Sequence, residues 1–194
     1  MRRPSVAAVG DNTIDRYSDG SVLVGGNALN VAVQARLAGV PAAYFGAIGR
    51  DEDGALIAAA LRANQVAADG LVAADGPTAV TQIRLTPDGD RVFEREDFGV
   101  TAEYEPSDAD LALIARHAWV HIGMLPRAAA FVRRLRAIAP SIHISQDCAV
   151  AHGFAHLDVA FCSAGEDERA AIRVARDAVR RGASLAVATR GAAG

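Results

Sequence analysis

Residues 25–39 read GGNALNVAVQARLAG, and their reading decides the fold. The apolar residues recur at helical spacing, yet the first turn carries two glycines and two asparagines, which are poor helix formers. A helix N-terminus leaves backbone N–H groups without intrahelical partners. Gly25 and Gly26 remove side chains there, so that another group can approach the backbone closely. Asn27 and Asn30 are three apart and share a face. Each amide offers both a donor and an acceptor, as a sugar hydroxyl does. Asp11 and Asp15, just past the first apolar run, can each accept from two hydroxyls. The same residues also read as an ordinary helix cap preceded by a turn.

Outward from this helix, strand and helix patterns alternate. Residues 5–10 and 42–49 are short apolar runs of buried-strand type, and residues 21–24 read as a brief strand. Residues 51–64 form a helix with an acidic first turn, favourable against the helix dipole. No helix is expected over residues 67–99. There, TAVTQIRLTPDGDRVFERE (78–96) alternates and is split by Pro87, Asp88 and Gly89, a hairpin signal. Helices then follow over 107–117, 127–139 and 165–182, and strands over 118–123, 141–147, 157–163 and 184–191. Alternation of this kind implies a parallel sheet with right-handed crossovers. Ligands in such sheets bind outside the carboxyl ends of the strands. That rule singles out residues 10–15, 49–53, 123–126, 146–148, 163–166 and 189–194. The β-rich segment is expected to lie as a flap over one end.

The chain has 194 residues, half of them hydrophobic, and a formal charge of -3. One domain with a real core is expected. A basic footprint for nucleic acid is absent, and no apolar run is long enough to span a bilayer. The first residues lack a signal-peptide core, so a cytoplasmic protein is expected, with Cys148 and Cys162 as reduced core residues. His117 with His121, and His152 with His156, have the four-residue spacing of a metal pair on a helix. The first pair sits in a strand and the second contains a glycine, so neither is expected to bind metal. The G-x-G-x-x-G fingerprint of a Rossmann-type oxidoreductase is missing after the first strand.

At this point the sequence resembles a known family. GGNALNVAVQARLAGVPAAYFGAIG (25–49) is similar to the first signature of the ribokinase-like (phosphofructokinase B) sugar kinases, with Gly25–Gly26, Ala28, Asn30, Ala32, Gly39 and Gly49 in place. VGDNTID (9–15) resembles that family's opening. Residues 10–12, the DRVF of 90–93 and LDVAFCSAGED (157–167) look most like the branch that phosphorylates fructoselysine. The resemblance implies an α/β fold: a mostly parallel sheet flanked by helices in three layers, with a small β-sheet lid at about 16–24 and 67–99. It makes residues 1–194 one such domain, C-terminally truncated.

The implied activity is ATP-dependent phosphorylation of a primary hydroxyl on a sugar or sugar-amine, with Mg2+. Asp11, Asp15, Gly25, Gly26, Asn27 and Asn30 would bind the sugar, with Gln82 and Arg91 added from the lid. Arg91 also reads as a solvated hairpin charge. Thr189, Gly191 and Gly194 would line the ATP site. Glu166 would organise magnesium indirectly, or simply favour a helix start, and Ser163 stands where the family has asparagine. The family's second signature, Gly-Ala-Gly-Asp, supplies an anion hole and a general base, and it does not occur in these residues. The base is therefore expected beyond Gly194 and the isolated chain is expected to be inactive. A non-catalytic sugar-binding protein, or a kinase of fructokinase or ribokinase type, is the alternative. A homodimer through the lid is expected to use Val80, Ile83 and Val92. A small sugar is the expected partner, without nucleic acid or membrane.

Overall fold

A computed structural model describes residues 5–86, 91–151 and 153–194. The expected turn at Pro87, Asp88 and Gly89, Asp90 beside it, and His152 lie outside the described residues. Seven parallel strands form the main sheet: β1 (Val6–Val9), β4 (Ala42–Gly49), β5 (Ala67–Ala74), β8 (Trp119–Ile122), β9 (His143–Asp147), β10 (Val159–Ser163) and β11 (Leu185–Thr189). Their order is β11-β10-β9-β8-β1-β4-β5, with every neighbouring pair parallel. The second sheet has four strands, in the order β3-β2-β6-β7. These are β2 (Thr13–Tyr17), β3 (Val22–Gly25), β6 (Val80–Leu85) and β7 (Arg91–Asp97).

Pleat alternation separates two cores. Ala7 and Val9 of β1 face the side that holds α3 (Asp108–Ile114), α4 (Ala128–Ile138) and α5 (Glu168–Arg180), with Ile114, Phe131, Leu135 and Ala178 buried there. Ala8 faces the other side, where α1 (Asn27–Leu37) and α2 (Glu52–Ala63) bury Ala28, Leu29, Ala32, Ile57 and Leu61. On that second side the pleat over β8 to β11 carries Trp119, His121, Ser145, Phe161 and Val187, and Phe161, Val187 and Leu185 are exposed.

Three expectations need correcting. Residues 67–74 do not belong to the small sheet: β5 pairs with β4 at the edge of the main sheet, from Ala43↔Ala67 to Gly49↔Ala74. The run is short of β-branched residues and follows a helix, so a βαβ crossover takes it and the second sheet resumes only at Val80. The small sheet also reaches beyond 16–24, because β2 starts at Thr13. Its polar sequence TIDRY hides a strand whose single apolar inward residue, Ile14, is fully buried. Ile83, on the opposite pleat face, is also unavailable to a partner surface: it is 2% exposed. Leu23 and Phe93 are the most exposed large apolar side chains of the sheet, with Val22 and Leu85 less so.

The α2 cap ties the β5–β6 connection to the main sheet. Asp51 accepts from Gly54 N, Thr78 N and Thr78 Oγ1 at 2.6–2.8 Å. Burial alone would raise its carboxyl, but the bonds from Thr78 and Gly54 outweigh it and hold the group below the ordinary value of 3.8. A depressed carboxyl stabilises the fold above the unfolded-chain value, and that contribution fades as pH falls through the folded-state value. Asp51→Asn is therefore expected to cost about 1–2 kcal/mol at neutral pH. Its stability should also fall less steeply than the wild type's below about pH 4, as urea midpoints across a pH series would show.

Candidate functional site

The carboxyl end of β1 meets the start of α1, and the residues between them build the site. Gly26 caps α1 at φ 108 without a side chain. The first-turn N–H groups are not left open. The Asp11 carboxylate accepts from Asn27 N, from Ala28 N at 3.2 Å and from Met124 N at 2.9 Å. It serves as the cap that the glycine lacks and joins β1, α1 and the end of β8. The glycines make room for this packing. A Cβ on Gly26 would stand 2.5 Å from Asn12 Cα, one on Gly25 the same distance from an Asp15 carboxyl oxygen. The expectation that Gly25 and Gly26 open the backbone to a ligand is thus corrected, since the chain's own 11–15 segment fills that space.

Beside this junction lies a cavity of about 430 Å³, lined among others by Asp11, Thr13, Asn27, Thr81, Glu96 and Met124. Thr13 and Thr81 share a hydrogen bond at 3.0 Å across β2 and β6. Asp15 is the register partner of Thr81 and Leu23, and Thr81 in turn of Glu96, so all lie on one pleat face. Burial raises the Asp15 carboxyl above its ordinary value; Arg91 opposes the rise and Glu96 adds to it. Arg91 is exposed and in register with Leu85, on that same face. Gln82 is on the opposite face, in register with Arg16 and Arg95, and is not brought to this cavity. Asn30 is exposed on the second turn of α1. Asn12, inside the loop, donates to Tyr44 Oη at 2.9 Å and to the Ala47 carbonyl at 2.8 Å, and Tyr44 donates to the Gly10 carbonyl.

A second cavity, of about 530 Å³, opens on the other side of Asn27. His121, Ser145, Asp147, Ser163 and Thr189 line it together with Trp119 and Phe161. Thr189 is in register with Ser163 and donates to the Cys162 carbonyl. Gly191 lies against Glu166, within 3.8 Å of its Cγ as seen from an ideal Cβ. Gly194 closes a short 3-10 turn, Gly191–Ala193, its carbonyl accepting from Arg190 N. The sites assigned to nucleotide and metal therefore share one corner, at the carboxyl ends of β10 and β11. Among the described residues no group of three His, Cys, Asp or Glu gathers as a metal cluster. One carboxylate, Glu166, fits magnesium that arrives with nucleotide phosphates rather than an all-protein cage.

Several side chains here escaped the sequence reading. Thr81 and Glu96 were not singled out; only the β2–β6–β7 register sets them on the pleat face of Asp15. His121 was weighed solely as half of a metal pair. Its ring lies between Asn27 and Ser145, while His117 bonds to the carbonyls at the end of α3. Asp147 ends β9, where burial raises its carboxyl, with Asp11 adding to the rise.

The sequence pattern of the pfkB family carbohydrate kinases matches residues 3–194. The chain belongs to that family. It is 31% identical over 193 residues to a fructoselysine 6-kinase of Shigella flexneri, covering 96% of this chain and 74% of that one. It is 36% identical over 124 residues to the fructosamine kinase FrlD of Bacillus subtilis, covering 62% of this chain and 44% of that one. In three dimensions it matches an Arabidopsis thaliana ribokinase solved with ribose and ATP. That match has a TM-score of 0.82 at 18% identity and covers 98% of this chain and 73% of that one. A Xylella fastidiosa fructokinase with bound ATP gives a TM-score of 0.74 at 20% identity, covering 100% of this chain and 70% of that one. The large parallel sheet with its smaller mixed sheet is thus the ribokinase-like fold. No helix among the described residues is long and apolar enough to cross a membrane.

Proposed function

We propose that this pfkB family chain forms the acceptor-binding part of a kinase that phosphorylates a primary hydroxyl of a sugar-amine, as in fructoselysine. The observation that carries this reading is the charge of the smaller cavity. Asp11 and Glu96 line it, with Asp15 on the adjoining pleat face, and no arginine among the described residues lines it. The chain contains no lysine at all. An acidic pocket with threonine and asparagine groups suits a ligand that is both polyhydroxylated and cationic. The names of the two relatives, a fructoselysine 6-kinase and a fructosamine kinase, support the same class.

In this reading Asp15 accepts from sugar hydroxyls, Asn27 donates to a sugar oxygen, and Thr13 and Thr81 complete the polar wall. Asn30 and Arg91 act at the rim, and Gln82 has no contact in the arrangement described. Gly25 and Gly26 contribute by admitting the Asp11–Asp15 loop. Thr189, Gly191 and Gly194 would hold ATP, and Glu166 would help to hold its magnesium. Bound ATP with magnesium supplies the phosphoryl group and neutralises charge developing on it. The chain's own part is positioning and exclusion of water by the small sheet. Leu23 and Phe93, exposed on that sheet, provide apolar surface for a homodimer. A cytoplasmic setting suits the two free thiols.

No residue of this sequence occupies the Gly-Ala-Gly-Asp segment, so binding without turnover is the expected behaviour of the 194-residue chain. A coupled ADP-release assay with fructoselysine should give no sugar-dependent signal above background. Sustained sugar-dependent ADP release would contradict this reading.

A further inference from the structure

His121 lines the larger cavity beside Asn27, which lines both, and has no part in the scheme above. It is 6% exposed, on β8. Its Nε2 is 2.8 Å from Asn27 Oδ1 and its Nδ1 is 3.0 Å from Ser145 Oγ. Trp119 Nε1 donates to the same Ser145 oxygen at 2.8 Å, and Phe161 meets the imidazole edge-on at 6.0 Å. Burial pushes the imidazole down to about 4, so it is neutral at physiological pH. A neutral ring has one N–H. Asn27 Oδ1 can only accept, so that hydrogen is on Nε2. Nδ1 then accepts from the Ser145 hydroxyl. The opposite arrangement would leave that hydroxyl only the Val120 carbonyl, at 3.5 Å.

We propose that His121 is a positioning residue. The one-way chain Trp119 to Ser145 to His121 to Asn27 holds the Asn27 amide with its oxygen toward β8. Its Nδ2 is thereby presented as a donor to the ligand in the cavity lined by Asp11 and Glu96. This rests on the sugar-amine reading of that cavity. Unheld, an amide with near-isosteric ends would present oxygen or nitrogen alike, and selection for an acceptor oxygen on the ligand would be lost. The pieces come from four places in the chain: the start of α1, two positions of β8 and the middle of β9. The three strand residues alternate toward the α1 side, where the parallel register His121↔Ser145 aligns them.

Two measurements test it on the 194-residue chain. In a long-range nitrogen–proton spectrum, the His121 ring should show the Nε2–H tautomer; an Nδ1–H ring overturns the proposal. In calorimetric titration with fructoselysine, His121→Leu should weaken binding about tenfold, the effect of one lost hydrogen bond. His121→Gln keeps a donor toward Asn27 and should recover most of the affinity. Equal affinity in wild type and His121→Leu overturns the proposal, as does equal loss in both variants. If His121→Leu does not fold, Ser145→Ala takes its place: it frees the ring to change tautomer and should both alter the spectrum and weaken binding. An unchanged ring and unchanged affinity count against the relay. Failure of the wild type to bind fructoselysine would remove the sugar-amine reading instead, while the ring spectrum still decides the direction of the chain.

Discussion

Replacing Asp11 by alanine is expected to lower the unfolding free energy by about 3–5 kcal/mol. Its carboxylate accepts from three backbone N–H groups, on two residues of α1 and on Met124. Bonds to a charged acceptor contribute about 1.5–3 kcal/mol each, and donors left without a partner in a packed junction cost further. Gly26 offers no side-chain cap in compensation. Water can reach this half-buried position, which keeps the expected loss below the sum of three full bonds. Asp11→Asn retains one acceptor oxygen and should lose about half as much. Urea denaturation of the three proteins measures the effect. A midpoint for Asp11→Ala within error of wild type would mean that the helix start is held some other way.

The second large effect concerns affinity. Asp15→Ala should weaken fructoselysine and fructose alike, by about a hundredfold, because a carboxylate that accepts from two hydroxyls is removed. Glu96→Gln should act on the amine alone. It removes a charge on the same pleat face while keeping the side chain's shape, so fructoselysine should lose about tenfold and fructose almost nothing. The contrast separates hydroxyl recognition from charge recognition. Glu96 is exposed, and its share is correspondingly smaller than that of half-buried Asp15. Equal losses for both ligands in Glu96→Gln would assign it a packing role only.

Periodicity made most of the fold legible. Helices α1, α2, α4 and α5 lie where apolar spacing puts them, and α2 and α5 begin at the capping aspartates Asp51 and Asp167. Strands β1, β4, β8 and β10 also lie where expected. Failures came where the period was too short to read. β2 is five residues with one buried side chain, Ile14, and its polar TIDRY carries no alternation of apolar residues. β5, AADGLVAA, has small residues on both faces and contains a glycine that a Cβ would drive into Phe45. It joins the main sheet because of its place after α2, not because of its composition.

The site was legible in residue type more than in role. Asp11 and the glycine pair were singled out as ligand groups, and they also solve a packing and capping problem of the chain itself. Nothing in GDNTID distinguishes a carboxylate that caps from one that binds. The strand-end rule covered Asp147 and Thr189 before any contact was known. Glu96 and His121 needed tertiary register, since their partners are 15 to 94 residues away in sequence: Thr81 opposite Glu96 at the near end and Asn27 opposite His121 at the far end. No local pattern encodes such a pairing.

Calorimetric titration of the wild-type chain with fructoselysine and with fructose bears most directly on the central claim, an acidic cavity at the β1–α1 junction that takes a cationic, polyhydroxylated ligand. Saturable binding at one site is expected for both, tighter for fructoselysine, with the difference shrinking as salt screens the charge. No binding of either sugar by a chain whose circular dichroism shows native α/β structure, or tighter binding of the neutral sugar, would contradict it.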